Sequence, residues 1–349
     1  MRRAIRAAGA LFAATLLASC TGLMRPAGLV APDAKWEEVS HAGRVYAEGV
    51  VAAKDGAVYV SDLTRTGLVR EGNPRGTIYR YDPATGTTTR YLEPSGMANG
   101  LHVDRGGDLI MAQDADGGGR AVVRRNLATG QTSLVANAYR GKRLNSPNDV
   151  TSDAQGRIYF TDARYGEPEP AELPNAVYRS DHDGGRLVQL STDILRPNGI
   201  EVSPDGKRLY VSASNTARLP PNPNGPAQDR FGITMGGVVV YDLDADGNLT
   251  NGRVFYKRDD LVADGMAMDS DGDLYVAFHN ANPRDPKGAI VALDPGGALL
   301  AELPLPPGAL PTNLGFGRGA DAGSLYMTSA VPWKLYRLKT LRHGHYFEQ

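Results

Sequence analysis

The 349-residue chain has a single cysteine, Cys20. An internal disulfide is therefore impossible, and so is a zinc site built from several thiolates. Neither charge sign is in excess: 38 Lys and Arg face 39 Asp and Glu, for a net charge of -1. No basic cluster stands out, which argues against nucleic acid as a partner. Beyond residue 20 no apolar run reaches the length of a membrane-spanning helix. Helical periodicity is nearly absent after residue 35. The Gly-x-Ser-x-Gly pattern of a serine nucleophile elbow is missing too. What the chain does have is turn formers, 42 Gly and 23 Pro. That composition suits many short strands joined by tight turns.

The N-terminus stands apart. Arg2, Arg3 and Arg6 precede an apolar run from Ala7 to Ala18, which ends in Leu17-Ala18-Ser19-Cys20. The run is short for a membrane span, and the pattern resembles a bacterial lipoprotein signal. On that reading residues 1–20 are a signal peptide, Cys20 is lipidated and residues 21–34 are a tether. The mature chain is then lipid-anchored without a transmembrane span. Thr21, rather than Asp, points to the outer membrane facing the periplasm. An ordinary secretory signal with a chance cysteine is the plainer alternative.

The remainder repeats. Residues 144–162, LNSPNDVTSDAQGRIYFTD, read as a β-hairpin: a strand at 148–152, a turn at 153–156 with Gly156, and a return strand rich in β-branched and aromatic residues. Five similar hairpins occur, with Tyr59, Ile110, Tyr210, Tyr275 and Tyr326 in the place of Tyr159. Most copies are followed by a second apolar strand pair. Four strands in each unit of about 50 residues define a propeller blade. The expectation is an all-β, six-bladed β-propeller over residues 35–340, with four antiparallel strands per blade and a tail at 341–349. The last repeat lacks a fourth strand, so residues 35–40 are expected to supply it. The interval from Tyr210 to Tyr275 is longer than the others. Part of the excess falls in the Pro- and Asn-rich stretch 215–236, a candidate lid or a mere insertion.

Counting back from those central residues, each inner strand opens on a carboxylate or an amide: Glu48, Asn99, Asn148, Asn198, Asp264 and Asn313. Inner strands line a propeller's channel, so the six side chains are expected to converge at one mouth. Such β-poor residues in one shared register suit a hard cation, which takes six to eight oxygens. Two carboxylates, Glu48 and Asp264, can neutralise the ion. Ca2+ fits best, with Mg2+, Mn2+ or Zn2+ as alternatives; softer metals prefer His and Cys. The same residues could instead simply cap turns. Asp62, Asp114, Asp162 and His279 end return strands on the same face. His279 could relay protons there or sit solvated in a loop.

At this point the chain resembles a known family. Residues 94–101 (PSGMANGL), 141–150 (GKRLNSPNDV), 158–162 (IYFTD), 196–199 (RPNG) and 263–266 (ADGM) look like gluconolactonases. That family also holds senescence marker protein (regucalcin) and luciferin-regenerating enzyme. The resemblance implies a six-bladed propeller with one divalent ion and lactone hydrolysis as its activity. It places Glu48 and Asp264 on the metal carboxylates, Asn198 on an amide ligand, and Asn148 at the metal or the substrate. Asp264 is then the candidate catalytic base, and Asn99, Asn148, Asp162 and His279 are left to contact substrate. Where gluconolactonases usually carry a Glu-His pair, this chain has Ala112-Gln113-Asp114-Ala115-Asp116-Gly117. The region 213–236 departs as well, which leaves the lactone unspecified. Two alternatives remain at this level. One is an organophosphate hydrolase similar to diisopropyl fluorophosphatase. The other is a non-catalytic, surface-anchored binding propeller.

Overall fold

The structure is a computed structural model of the chain. It describes residues 28–39, 47–63, 76–115, 117–165, 170–182, 184–216, 222–280, 282 and 284–347. The signal segment and Cys20 lie outside the described residues.

Six four-stranded antiparallel sheets follow one another along the chain. Blade 1 comprises Ala47–Ala52, Val58–Asp62, Thr77–Asp82 and Thr87–Leu92. Blade 2 comprises Ala98–Val103, Leu109–Gln113, Ala121–Arg125 and Thr132–Ala136. Blade 3 comprises Pro147–Ser152, Ile158–Asp162, Ala176–Ser180 and Leu187–Ser191. Blade 4 comprises Pro197–Val202, Arg208–Ser214, Gly236–Leu243 and Leu249–Arg258. Blade 5 comprises Val262–Met268, Leu274–His279, Gly288–Leu293 and Leu299–Leu303. Blade 6 comprises Pro311–Phe316, Ser324–Ala330 and Trp333–Lys339, and its outermost strand is Glu37–Glu38. Glu37 pairs with Arg337 and Glu38 with Tyr336. The N-terminal segment thus closes the ring, as the missing fourth strand required.

The hairpins show why these residues turn where they do. Asp153 Oδ1 accepts the backbone N–H groups of Gln155 and Arg157, both at 3.0 Å. Gly156 takes the left-handed conformation at φ +82° that closes the turn. The other carboxylate oxygen, Asp153 Oδ2, accepts the Tyr159 hydroxyl at 3.0 Å. Asp269 repeats the device with Asp271, Asp273 and Tyr275. The turn acid therefore satisfies both the turn backbone and the hydroxyl of the buried tyrosine.

Each blade seam holds its own slab of core. Tyr59 and Ile78 of blade 1 pack with Leu101 and Met111 of blade 2. Equivalent clusters fill the other five seams, including Tyr81 with Tyr326 and Leu335 where blade 1 meets blade 6. The inner strands of blades 1 and 3 are buried throughout, while the outermost strand of blade 1 is largely exposed. Burial thus falls with distance from the axis.

Two peripheral segments bear on the axis. Residues 222–235 are tied down at the mouth end: Asn222 Nδ2 donates to Leu173 O (2.9 Å) and Asn175 Oδ1 (2.8 Å), and Ile233 joins the core of the blade 3–4 seam. At the opposite end the C-terminal residues cross the channel. His345 N donates to Met268 O (3.1 Å), and the Tyr346 hydroxyl donates to Phe316 O. They close a cavity of about 60 Å³ lined by His102, Asp149, Glu201, Asn313, His345 and Tyr346 among others.

Candidate active site

The mouth is built from six breaks in the ladder. In blade 3 the pairing jumps from Pro147–Asp162 to Val150–Phe160, so Asn148 and Asp149 together face one residue of the return strand. Blades 1, 2, 4 and 5 break in the same place. A bulge of this kind re-aims a side chain out of the pleat. Each inner strand also contacts the inner strands of its two neighbours, so the bulges face a common axis. The first bulge residue is Glu48, Asn99, Asn148, Asn198 or Asp264. All five keep only 6–8% of their surface exposed. The four expected metal ligands thus stand on one tier around the axis, with Asn99 beside them.

Blade 6 corrects the expected ring. Its register pairs Pro311 with Ser329 and Leu314 with Met327, which puts Thr312 on the tier and Asn313 one residue deeper. The hairpin of blade 6 carries an extra 3-10 turn at Gly319–Asp321, so a count back from Tyr326 that ends on Asn313 stops one residue short. Thr312 is fully buried and its hydroxyl donates to Ala47 O at 2.7 Å.

The deeper tier was not foreseen. Four blades have glycine there: Gly49, Gly100, Gly199 and Gly265. A Cβ on Gly100 would lie 2.2 Å from Asp149 Oδ1, and one on Gly265 would lie 2.1 Å from Asn313 Cγ. The Asp149 and Asn313 side chains come from opposite blades, each leans over a neighbour's glycine, and they hydrogen-bond each other. They form a floor beneath the mouth. Burial, reinforced by the nearby charges of Glu201 and Asp264, pushes the Asp149 carboxyl up to about 8, against the Val150 N–H that holds it down. Below the floor, burial raises Glu201 to about 7, while the Val202 N–H and the Thr151 hydroxyl on its Oε1 oppose the rise. Burial lowers His102 to about 4, helped by the positive charge of Arg318. The sequence carried a signal for both acids. Asp149 stands where four other blades have glycine, and Glu201 interrupts the apolar strand Ile200-Glu201-Val202.

The remaining expected residues divide. His279 ends the return strand of blade 5 and is 8% exposed rather than solvated in a loop. Its Nε2 lies 2.8 Å from Asp264 Oδ2. Asp162 is corrected. It has no exposed surface, and its two oxygens accept the N–H groups of Asn145 (2.9 Å) and Ser146 (2.6 Å). It organises the loop entering blade 3 instead of meeting a ligand. Asp114 accepts the Ser146 hydroxyl and belongs to the same network.

With the fold and the mouth in place, comparison with known proteins identifies the class. Residues 46–221 and 233–331 match the model of the SMP-30/Gluconolactonase/LRE-like region, and the chain belongs to that family. Among individual relatives, it is 30% identical over 319 residues to the gluconolactonase of Zymomonas mobilis, covering 84% of this chain and 76% of that one. A solved gluconolactonase from Xanthomonas campestris superposes with a TM-score of 0.69 at 27% identity, over 90% of this chain and 92% of the other. The calcium-binding regucalcin of Agrobacterium tumefaciens shares the fold, with a TM-score of 0.65 at 18% identity over 90% of this chain and 96% of the other.

Proposed function

We propose that the protein is a divalent-cation-dependent lactonase that opens a sugar lactone of the gluconolactone kind to its hydroxy acid. The observation that supports this reading is the single tier on the axis, where two carboxylates and two amides occupy the same bulge position at nearly equal, slight exposure. The donor set fits a hard cation: all four ligands offer oxygen, and Glu48 with Asp264 supplies two negative charges. Among the described residues no group of three or more His, Cys, Asp and Glu side chains is placed to hold a metal, so this reading requires the amides of Asn148 and Asn198 as ligands beside Glu48 and Asp264. Calcium suits such a site better than a metal that seeks nitrogen or sulfur.

A divalent cation held there supplies Lewis acidity toward the lactone carbonyl oxygen. The rest is done by side chains. Asp264 commits Oδ2 to His279, so the ligand role falls to its other oxygen. Asp264 is also the candidate acceptor for the proton of the attacking water, with His279 Nε2 fixing the carboxylate's orientation. Water oxygen bonds to the carbonyl carbon, the ring C–O bond breaks, and the proton ends on the released hydroxyl. Asn99 and Asn148 border the same space and would hold the substrate's hydroxyls. The Asp149–Asn313 floor leaves the mouth as the direction of approach.

The test is a panel of sugar lactones and an organophosphate, run on the wild type and on Asp264→Asn. Lactone turnover that falls at least a hundredfold in the variant supports the reading. Organophosphate turnover exceeding that of every lactone would overturn it. The Arg2–Cys20 segment supports a further proposal, that the mature chain is lipid-anchored at Cys20 in the cell envelope. Loss of acyl labelling in Cys20→Ala tests this.

A further inference from the structure

One return-strand residue stands opposite each bulge. From blade 1 to blade 6 these are Ser61, Ala112, Thr161, Ser212, Ala277 and Thr328. The four hydroxyl residues have no exposed surface. Each donates across a blade seam to the backbone carbonyl of the tier residue of the next blade. Ser61 reaches Asn99 O at 2.6 Å and Thr161 reaches Asn198 O at 2.6 Å. Ser212 reaches Asp264 O at 2.8 Å, and Thr328 reaches Glu48 O at 2.5 Å across the closure of the ring. Three of them also accept an N–H from the bulge of their own blade: Asp149 N (3.0 Å), Gly199 N (2.7 Å) and Asn313 N (3.0 Å). One hydroxyl thus satisfies backbone groups that two neighbouring bulges leave without a ladder partner.

We propose that Thr161, Ser212 and Thr328 are positioning residues of the cation site, fixing Asn198, Asp264 and Glu48 through their main chains. The inference rests on the cation reading above and adds how the ligands are held. A side chain on a bulge can be no better placed than the peptide that carries it. Tying that peptide to the neighbouring blade sets the spacing between ligands around the axis. The fold itself does not require the hydroxyl, because blades 2 and 5 form the same bulge with Ala112 and Ala277 in its place. Three of the four clamps fall on members of the donor set. The fourth, from Ser61, falls on Asn99, which lies outside it and serves as the internal control. Because linkage is reciprocal, an ion that draws these ligands together must also tighten the seams that hold them.

The experiment is calcium titration calorimetry on the full chain after chelation, comparing Thr161→Val, Ser212→Ala and Thr328→Val with Ser61→Ala. Outer-shell partners of metal ligands typically contribute ten- to hundredfold in affinity. The expected result is about tenfold or greater weakening in each of the three clamp variants and a change under about threefold in Ser61→Ala. Thr328→Ser should restore the affinity, and the rise in melting temperature on adding calcium should shrink in the clamp variants alone. If Thr328→Val does not fold, Thr161→Val and Ser212→Ala carry the comparison. Clamp variants that bind calcium like the wild type would overturn the inference while leaving the cation reading intact. Equal weakening in Ser61→Ala would overturn it too, by showing a general packing effect. A wild type that binds no divalent cation would overturn the cation reading and the clamps with it.

Discussion

Replacing Glu201 with Gln gives a stability change that depends on pH in a way the structure fixes in advance. Glu201 lies below the Asp149–Asn313 floor and lines the cavity that His345 and Tyr346 border. Burial lifts its carboxyl from 4.5 to about 7 in the folded protein. The folded state therefore holds the proton more tightly than the unfolded state. Below pH 4.5 both states are protonated and the group contributes nothing to the difference. As pH rises from 4.5 towards 7, the unfolded chain ionises freely and the folded chain does not, so stability falls. Above 7 the loss is complete, at about 3 kcal/mol from a shift of this size. Glutamine keeps an oxygen for the Thr151 hydroxyl and the Val202 N–H that now bond Oε1, and it never ionises. Urea unfolding at pH 4, 6 and 8 measures the outcome. The variant should match the wild type at pH 4 and exceed it by up to about 3 kcal/mol at pH 8. A difference between the two that does not change with pH would refute the reasoning, because burial would then not be what holds the proton.

Three further outcomes follow from the mouth. Asp264→Asn keeps the size of the side chain and should leave the circular dichroism unchanged while lactone turnover falls at least a hundredfold. His279→Gln should weaken kcat more than KM, because its Nε2 touches Asp264 and orients it. Near-normal kcat in that variant would remove His279 from the site. Gly49→Ala would place a Cβ 2.3 Å from Asn99 O and 2.8 Å from Leu101 N, both main-chain atoms. It should cost about 2–3 kcal/mol or more in denaturant unfolding, since the inner strand of blade 2 cannot yield as a side-chain tip could.

The architecture was legible because a propeller repeats. Six hairpins, most with a turn acid, a turn glycine and a central aromatic or apolar residue, state the period, and the absence of a fourth strand after Lys334–Leu338 shows where the ring closes. The tier on the axis was legible for five blades, whose hairpins differ in length by at most one residue. Blade 6 broke the count, because the Gly319–Asp321 turn lengthens its hairpin without changing the pattern of residue types. Asp162 misled for a different reason. Its position at the end of a return strand was read correctly, but the backbone amides of Asn145 and Ser146 reach it from a loop whose path no local pattern encodes. Asp149 and Glu201 stand out in the sequence as exceptions to their repeats, but what they contact is hidden for the same cause. Asp149 meets Asn313 across the ring, and Glu201 meets Thr151 of the neighbouring blade, only after the blades are brought around one axis. The hydroxyls opposite the bulges look like ordinary strand residues until the register is known.

The central claim is that one cation sits on that axis and is needed for turnover. Chelated protein should be titrated with calcium while both bound ion and gluconolactone hydrolysis are followed. The predicted result is one ion per chain, with hydrolysis returning in proportion, and neither in a chain carrying Glu48→Gln together with Asp264→Asn. Full hydrolysis by the cation-free protein, or calcium binding that survives the loss of both carboxylates, would contradict it.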